Sequence, residues 1–295
     1  MPVYNGERYL PEAIRSLLGQ DYDDFELIIS DNASTDGTEK ICKEFAARDS
    51  RIRYYRNPAN TGASPNFSRV FDLARGEFFK WACSDDLHYQ GHLRRCTETL
   101  AAAPPDVVLV TTRVSLIDEE SRSLTDEEGQ PFEWTEWAKA NWGGPERFST
   151  QASAPHRRLA YVLRRMRWAT AQFGIFRRRT LALTRRIDAF RMSDRVLLAE
   201  VAMLGKIIEI DDFLFARRQH PGISTTIART AGEYALWMDP KAKAARRRIM
   251  SLEYARSIHR LPLSPLDRTL CFAVVARVWA QQKIDTCRPR NVAAV

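Results

Sequence analysis

Apolar and polar positions in the first hundred residues alternate between two periods. Leu10, Ala13, Ile14, Leu17 and Leu18 recur at helical spacing, with Pro11 in the first turn and Gly19 as a stop. The run FELIIS (residues 25–30) then reads as a buried strand. A turn follows, with Asp36 as N-cap and Glu39 three residues on, the arrangement of a capping box. That helix presents Ile41 and Phe45, and RIRYY gives the next strand. Phe67, Val70, Phe71 and Ala74 form a third helical stripe that Gly76 ends, and EFFKWAC is a fourth strand-like run. Strands alternating with helices through short links predict βαβ units on a mostly parallel, Rossmann-like sheet with helices on both faces.

Further along, the pattern predicts a helix over residues 92–102, a strand in DVVLVTTRVSLID and a long loop or lid over 118–155. Beyond the loop come a helix over 157–167, a strand in AQFGIF and a helix over 194–204. Two short strands follow, KIIEI and FLFARR, and residues 231–295 read as helical with no visible chemistry. A βαβ fold also wants an apolar strand ahead of PVYNG. With the sequence opening at Met1, either that strand is a stub or residues lie upstream of it.

The 295 residues suffice for a full α/β core with a smaller appendage, divided here as 1–225 and 226–295. No run reaches the roughly 18 apolar residues of a membrane span. The stretch 270–280 comes nearest and is broken by Arg277. Five scattered cysteines, without a C-x-x-C pair, argue against a disulfide framework and a zinc site, and for a reducing, cytoplasmic setting. Net charge is +8, and residues 157–195 carry twelve arginines against Asp188 and Asp194. Such a stretch is either a solvated helical surface or a patch for nucleic acid, anionic lipid or a phosphorylated substrate.

Asp31 and the adjacent pair Asp85 and Asp86 stand just past the C-terminal ends of predicted strands. In open α/β sheets ligands bind along that edge, where loops converge and helix N-termini point in. Two neighbouring carboxylates repel, so a metal ion, an arginine or water must offset them.

These residues resemble the inverting family-2 glycosyltransferases of the GT-A fold. PVYNGERYLPEAIRSLLGQDYDDFELIISDNASTDGT is similar to that family's opening signature over its whole length. NTGASPN, ARGEFFKWACSDD, SDRVLLAE and RRQHPG follow in the family's order. The resemblance is close over residues 2–116 and looser over 173–224. It implies transfer of one sugar from a nucleoside-diphosphate sugar, carrying uridine or thymidine, to an acceptor hydroxyl. Mg²⁺ or Mn²⁺ would stabilise the charge left on the departing diphosphate.

By the same resemblance Asp86 ligates the metal, Asp85 contacts the ribose or the metal's waters, and His220 serves the metal or the diphosphate. Asp31 accepts from the imide N–H of the base, while Pro2, Val3, Tyr4 and Glu7 line the nucleoside pocket and Asn5 and Gly6 shape its turn. Asn60 and Gly62 fall in the loop beside the base; the arginine the family often places there is replaced by Pro65, with Arg69 as a stand-in. Asp194 corresponds to the catalytic base, with a helix N-cap as its structural alternative. Arg217 and Arg218 form a forked clamp on the diphosphate, one of them pointing to solvent. Processive relatives carry Q-x-x-R-W and membrane helices; here Arg164 stands at the Gln position before Arg167 and Trp168.

The acceptor class stays open between small molecule, lipid-linked and glycan, as do a peripheral membrane contact and a homodimer through the C-terminal helices. A nucleotidyltransferase would want a Gly-rich phosphate loop after the first strand, and YNGERYL is a poor one. A basic nucleic-acid-binding protein would leave the strand-end carboxylates unexplained, so no nucleic-acid partner is expected.

Overall fold

The computed structural model describes residues 1–125, 148–166, 169–223, 230–241 and 249–287. The expected 225/226 boundary, most of the 118–155 loop, and Arg167 with Trp168 lie outside them.

Strand β1 (Pro2–Val3) leads through helix α1 (Leu10–Leu18) to β2 (Leu27–Asp31), and α2 (Thr38–Arg48) leads on to β3 (Ile52–Arg56). The three strands pair in parallel in the order β1-β2-β3, with Val3 beside Asp31 and Asp31 beside Arg56. Helix α1 forms where its stripe predicts: Leu10, Ala13, Ile14 and Leu17 are buried. Each large aliphatic there contributes about 1.5–3 kcal/mol of burial. The Gly19 amide closes the helix on the Arg15 carbonyl.

Helix α2 departs from expectation at its start. Its N-cap is Gly37, whose amide is held by Glu7 from the preceding loop, while Glu39 pairs with Lys43 and Arg56. Asp36 accepts from the Thr38 and Glu7 amides, so the two loops are stitched together and no local capping box forms.

Helix α3 (Ala63–Leu73) precedes β4 (Phe78–Phe79) and β5 (Leu87–His88), and α4 (His92–Ala102) precedes the long β6 (Val107–Ile117). After α5 (Pro155–Arg165) come β7 (Ile175–Arg177), the short α6 (Arg178–Leu181), α7 (Ser193–Leu204) and β8 (Lys206–Arg218). These strands form a second sheet in the order β4-β7-β6-β8-β5, parallel only between β6 and β8. The run expected to be a strand through Cys83 thus keeps its ladder only at Phe78 and Phe79. Trp81 instead enters the core, edge-on to Phe79 and Phe176 with ring centroids 5.0 and 5.9 Å away. KIIEI and FLFARR are one strand: Ile210 pairs with Thr112 and Phe213 with Arg113, so Asp211 and Asp212 are extra residues in a bulge.

The C-terminal segment is helical: α8 (Ala231–Met238), α9 (Met250–Arg260) and α10 (Pro265–Cys287). Helix α8 packs on α3, α9 on α7, and α10 on α5. Among the described residues no helix is long and apolar enough to cross a membrane.

Four of the described arginines of 157–195 are engaged within the fold. Arg158 is buried and donates to the Ala202 and Met203 carbonyls at the end of α7. Arg177 does the same for the end of α4, through Leu100 and Ala103. Arg185 joins the buried carboxylates of Glu200 and Glu253, and Arg186 pairs with Asp72. A cation at the electronegative end of a helix satisfies carbonyls that have no partner in the helix.

Candidate functional site

The loops after β1 and β2 are laced together. The Asn5 amide donates to Ser34 Oγ, Gly6 to Thr38 Oγ1, and Thr35 to Asn5 Oδ1. Asn5, in the left-handed region at φ 50°, makes the turn. Pro2 and Val3 are buried below it and Tyr4 is 47 % exposed above. A third loop joins through Asn32, whose side chain donates to Asn60 Oδ1 and the Gly62 carbonyl and accepts from Thr61. Asn60 and Gly62 therefore help to hold the shape of this loop. Gly62, at φ 88°, has no alternative residue: an added Cβ would lie 2.6 Å from the Met238 carbonyl at the end of α8.

Asp31 ends β2 with its side chain fully buried and both oxygens engaged. Oδ1 accepts from the Ser34 amide at 2.8 Å; Oδ2 accepts from Tyr54 Oη at 2.8 Å and Arg56 Nη1 at 2.6 Å. Burial opposes its charge, but these hydrogen bonds outweigh burial and hold its pKa below the ordinary carboxylate value. Tyr54 and Arg56 escaped the sequence reading; their signal was an alternating strand directly beside the one that ends in an acid.

The Asp85–Asp86 turn lies across the sheet, between β4 and β5. Oxygens of both carboxylates and Cys83 Sγ lie within 4.8 Å of one another. Asp85 is half-buried and meets His220 Nε2 at 3.0 Å, and Tyr9 packs on that imidazole with centroids 4.7 Å apart. Asp86 is buried and accepts from the Arg218 backbone amide at 2.9 Å. Burial, reinforced by the charge of Asp85, pushes its pKa up to about 7 against that hydrogen bond and the charge of Arg217. A buried carboxylate short of positive charge, with an acid beside it and an imidazole against that acid, fits a hard divalent cation. Among the described residues the group with ligand atoms close enough to hold one is Cys83, Asp85 and Asp86, with His220 against Asp85.

The two arginines that end β8 differ sharply. The Arg218 side chain is 0 % exposed and spent within the fold. Nε donates to the Asp85 carbonyl, Nη1 to the Asp118 carbonyl and Ser121 Oγ, and Nη2 to Glu12 Oε2, all at 2.7–2.9 Å. The expected diphosphate contact from Arg218 is thus corrected: with its donors taken, it props the aspartate turn from behind. Arg217 is the half-buried one, and its charge reaches Cys83, Asp86 and Asp194 alike.

The charge of Arg217 also acts on Asp194. Asp194 is the second residue of α7, behind Met192 in the left-handed N-cap position, and Oδ1 accepts the amide of its neighbour Arg195 at 2.8 Å. It is not the N-cap. Burial raises its pKa, and Arg195 and Arg217 partly offset this. Tyr234 of α8 and Tyr254 of α9 feel its charge, so the C-terminal helices approach this acid. Nothing in their sequence announced that.

Comparison with known proteins bears on the fold and the family. Residues 1–193 match the family model described as glycosyl transferase family 2. An uncharacterized glycosyltransferase of Rickettsia typhi is 33% identical over 124 residues, 42% of this chain and 38% of that protein. The matched stretch spans little more than a third of the curated relatives' length. Among solved structures, TarS of S. aureus in complex with UDP-GlcNAc superposes over 95% of this chain and 71% of its own, at TM-score 0.61 and 18% identity. The mannosyltransferase PcManGT of Pyrobaculum calidifontis, in complex with GDP-Man and Mn²⁺, covers 96% and 73%, at TM-score 0.51 and 16% identity. Fold, strand-end carboxylates and family model coincide: the chain has the GT-A fold with a helical extension and belongs to glycosyl transferase family 2.

Proposed function

We propose that this chain transfers a single sugar from a uridine or thymidine diphosphate sugar to an acceptor hydroxyl, with inversion at the anomeric carbon. The observation that carries the reading is the strand-end pair Asp85 and Asp86, whose oxygens lie with Cys83 Sγ within 4.8 Å of one another, with His220 3.0 Å from Asp85. Mg²⁺ or Mn²⁺ at Asp86, beside Asp85 and His220, would supply Lewis-acid stabilisation of the leaving diphosphate. Arg217 offers that diphosphate a cationic fork.

Pro2, Val3, Tyr4 and Glu7 frame the nucleoside. Asp31 fixes Ser34, Tyr54 and Arg56 around the base. Direct contact with the imide N–H requires Arg56, 34% exposed, to swing away. Asp194 takes the proton of the acceptor hydroxyl. The acceptor oxygen then forms its bond to C1 as the C1–O bond to the β-phosphate breaks, its electron pair leaving with the nucleoside diphosphate. A carboxyl whose pKa is raised by burial is a better base for this step than an exposed one.

The test is thermal unfolding with UDP, TDP, GDP, ADP and CMP, with and without Mn²⁺, on wild type and Asp86→Ala. Saturation at a hundred times Kd stabilises by about 2.7 kcal/mol, roughly 5 °C or more at this size. A Mn²⁺-dependent shift with one pyrimidine diphosphate, absent in Asp86→Ala, is the expected result. No shift with any nucleotide would overturn the reading.

A further inference from the structure

Three of the described cysteines lie inside apolar clusters: Cys42 on α2, Cys96 on α4 and Cys271 on α10. Packing as small hydrophobes accounts for each of them. Cys83 is half-buried and belongs to none of these clusters. Its Sγ stands in the aspartate turn instead, within 4.8 Å of a carboxylate oxygen of Asp85 and one of Asp86. Its thiol is a hydrogen-bond partner of the Asp86 carboxylate, which is only 4% exposed.

The surroundings orient both carboxylates. Asp86 gives Oδ1 to the Arg218 amide. Asp85 is held through Oδ2 by His220. There the Gly222 amide donates to Nδ1 at 3.1 Å, so the imidazole keeps its proton on Nε2 and donates it to Asp85 at 3.0 Å. A histidine placed in this way orients a metal ligand rather than serving as one. The sulfur of Cys83 and the two carboxylates then make a mixed donor set. A tetrahedral zinc ion bound at about 2.3 Å to sulfur and about 2.1 Å to oxygen keeps neighbouring ligand atoms about 3.6 Å apart. Atoms already within 4.8 Å of one another need only a small contraction to reach that spacing. Oxygen donors alone suit Mg²⁺ and Mn²⁺, whereas a thiolate among them moves the choice toward softer ions.

We propose that Cys83 is a ligand of the cation held at Asp86, and that its sulfur tunes the site toward a borderline divalent ion, zinc or cobalt, over Mg²⁺ and Mn²⁺. The inference rests on the reading of the aspartate turn as the cation site of a transferase. On binding, a metal–sulfur bond replaces the S–H bond and the thiol proton passes to solvent. The ion then meets three anionic donors from one short turn, with Asp85 steadied by His220.

Most sites with such donors bind Zn²⁺ more tightly than Mn²⁺, so the diagnostic is the change that Cys83→Ser causes. The full chain, stripped of metal and kept reduced with a phosphine, is titrated with Co²⁺, Zn²⁺ and Mn²⁺, with and without UDP. Wild type, Cys83→Ser and Asp86→Ala are compared, each checked for folding by its melt. The expected result is a thiolate-to-cobalt charge-transfer band in the near ultraviolet, present in wild type and absent from both variants. Cys83→Ser should weaken Zn²⁺ binding roughly tenfold or more and leave Mn²⁺ binding within about threefold. Asp86-dependent metal binding without a thiolate band, a band that survives Cys83→Ser, or an unchanged preference for Zn²⁺ in that variant would overturn the role of Cys83 and leave the transferase reading standing. Absence of any Asp86-dependent metal binding, with or without UDP, would overturn both.

Discussion

Arg218→Ala separates the two arginines that end β8. The substitution removes four hydrogen bonds of 2.7–2.9 Å and leaves the carbonyls of Asp85 and Asp118 and the carboxylate of Glu12 without their cation. Charge-assisted bonds are worth about 1.5–3 kcal/mol each, but they are not additive, and Glu12 is 45% exposed, so water screens its share. Breaking a buried ionic cluster by removing one partner costs about 3–5 kcal/mol. The same range is expected here, roughly an 8 °C fall in Tm. Lysine cannot reproduce a planar fork reaching three directions, so Arg218→Lys should recover less than half of the loss. Arg217→Ala should weaken binding of the nucleoside diphosphate. Urea unfolding in EDTA reads the first effect and nucleotide-dependent thermal shift the second. A loss below about 1 kcal/mol in Arg218→Ala, or full rescue by lysine, would refute the structural role.

Asp194→Asn should lower kcat by a factor of about 10²–10⁴ while the thermal shift with donor nucleotide persists; loss of that shift would mean Asp194 serves donor binding instead. For Asp86, the folded pKa of about 7 lies above the ordinary carboxylate value of 3.8, so the unfolded chain releases its proton first. Metal-free wild type should therefore lose stability between pH 4 and 7, by up to about 4 kcal/mol. Asp86→Asn should accordingly be the more stable protein at pH 8 and not at pH 4, measured by urea unfolding in EDTA; an equal change at both pH values would contradict the burial argument. Gly62→Ala should destabilise by about 2–4 kcal/mol, since its φ of 88° and the Met238 carbonyl 2.6 Å away both penalise a Cβ; a near-neutral melt would show that α8 gives way.

Local periodicity carried the order of elements in the first hundred residues because each stripe, such as Leu10, Ala13, Ile14 and Leu17, buries one face of one helix. It failed where long-range pairing decided. Asp211 and Asp212 looked like a break between two strands and are a bulge in one, because β6 continues past them. Capping of α2 passed from Asp36 and Glu39 to Glu7, thirty residues away and brought in only by folding. Strand-end acids were visible because architecture alone places ligands there. The partners that define them were not: Arg56 reaches Asp31 from the next strand, and Arg218 draws on three separate segments. Arginines 158, 177 and 185 looked like a charged surface because sequence cannot show which helix ends and buried carboxylates they meet.

The claim at the centre of this account is that a divalent cation at Asp86 holds the diphosphate within reach of Asp194. Crystals grown with UDP and Mn²⁺ would test it through the anomalous signal of manganese. A peak about 2.2 Å from an Asp86 carboxylate oxygen, also touching the diphosphate, is the predicted result. A well-occupied nucleotide with no manganese at Asp86, or manganese bound elsewhere, would contradict it.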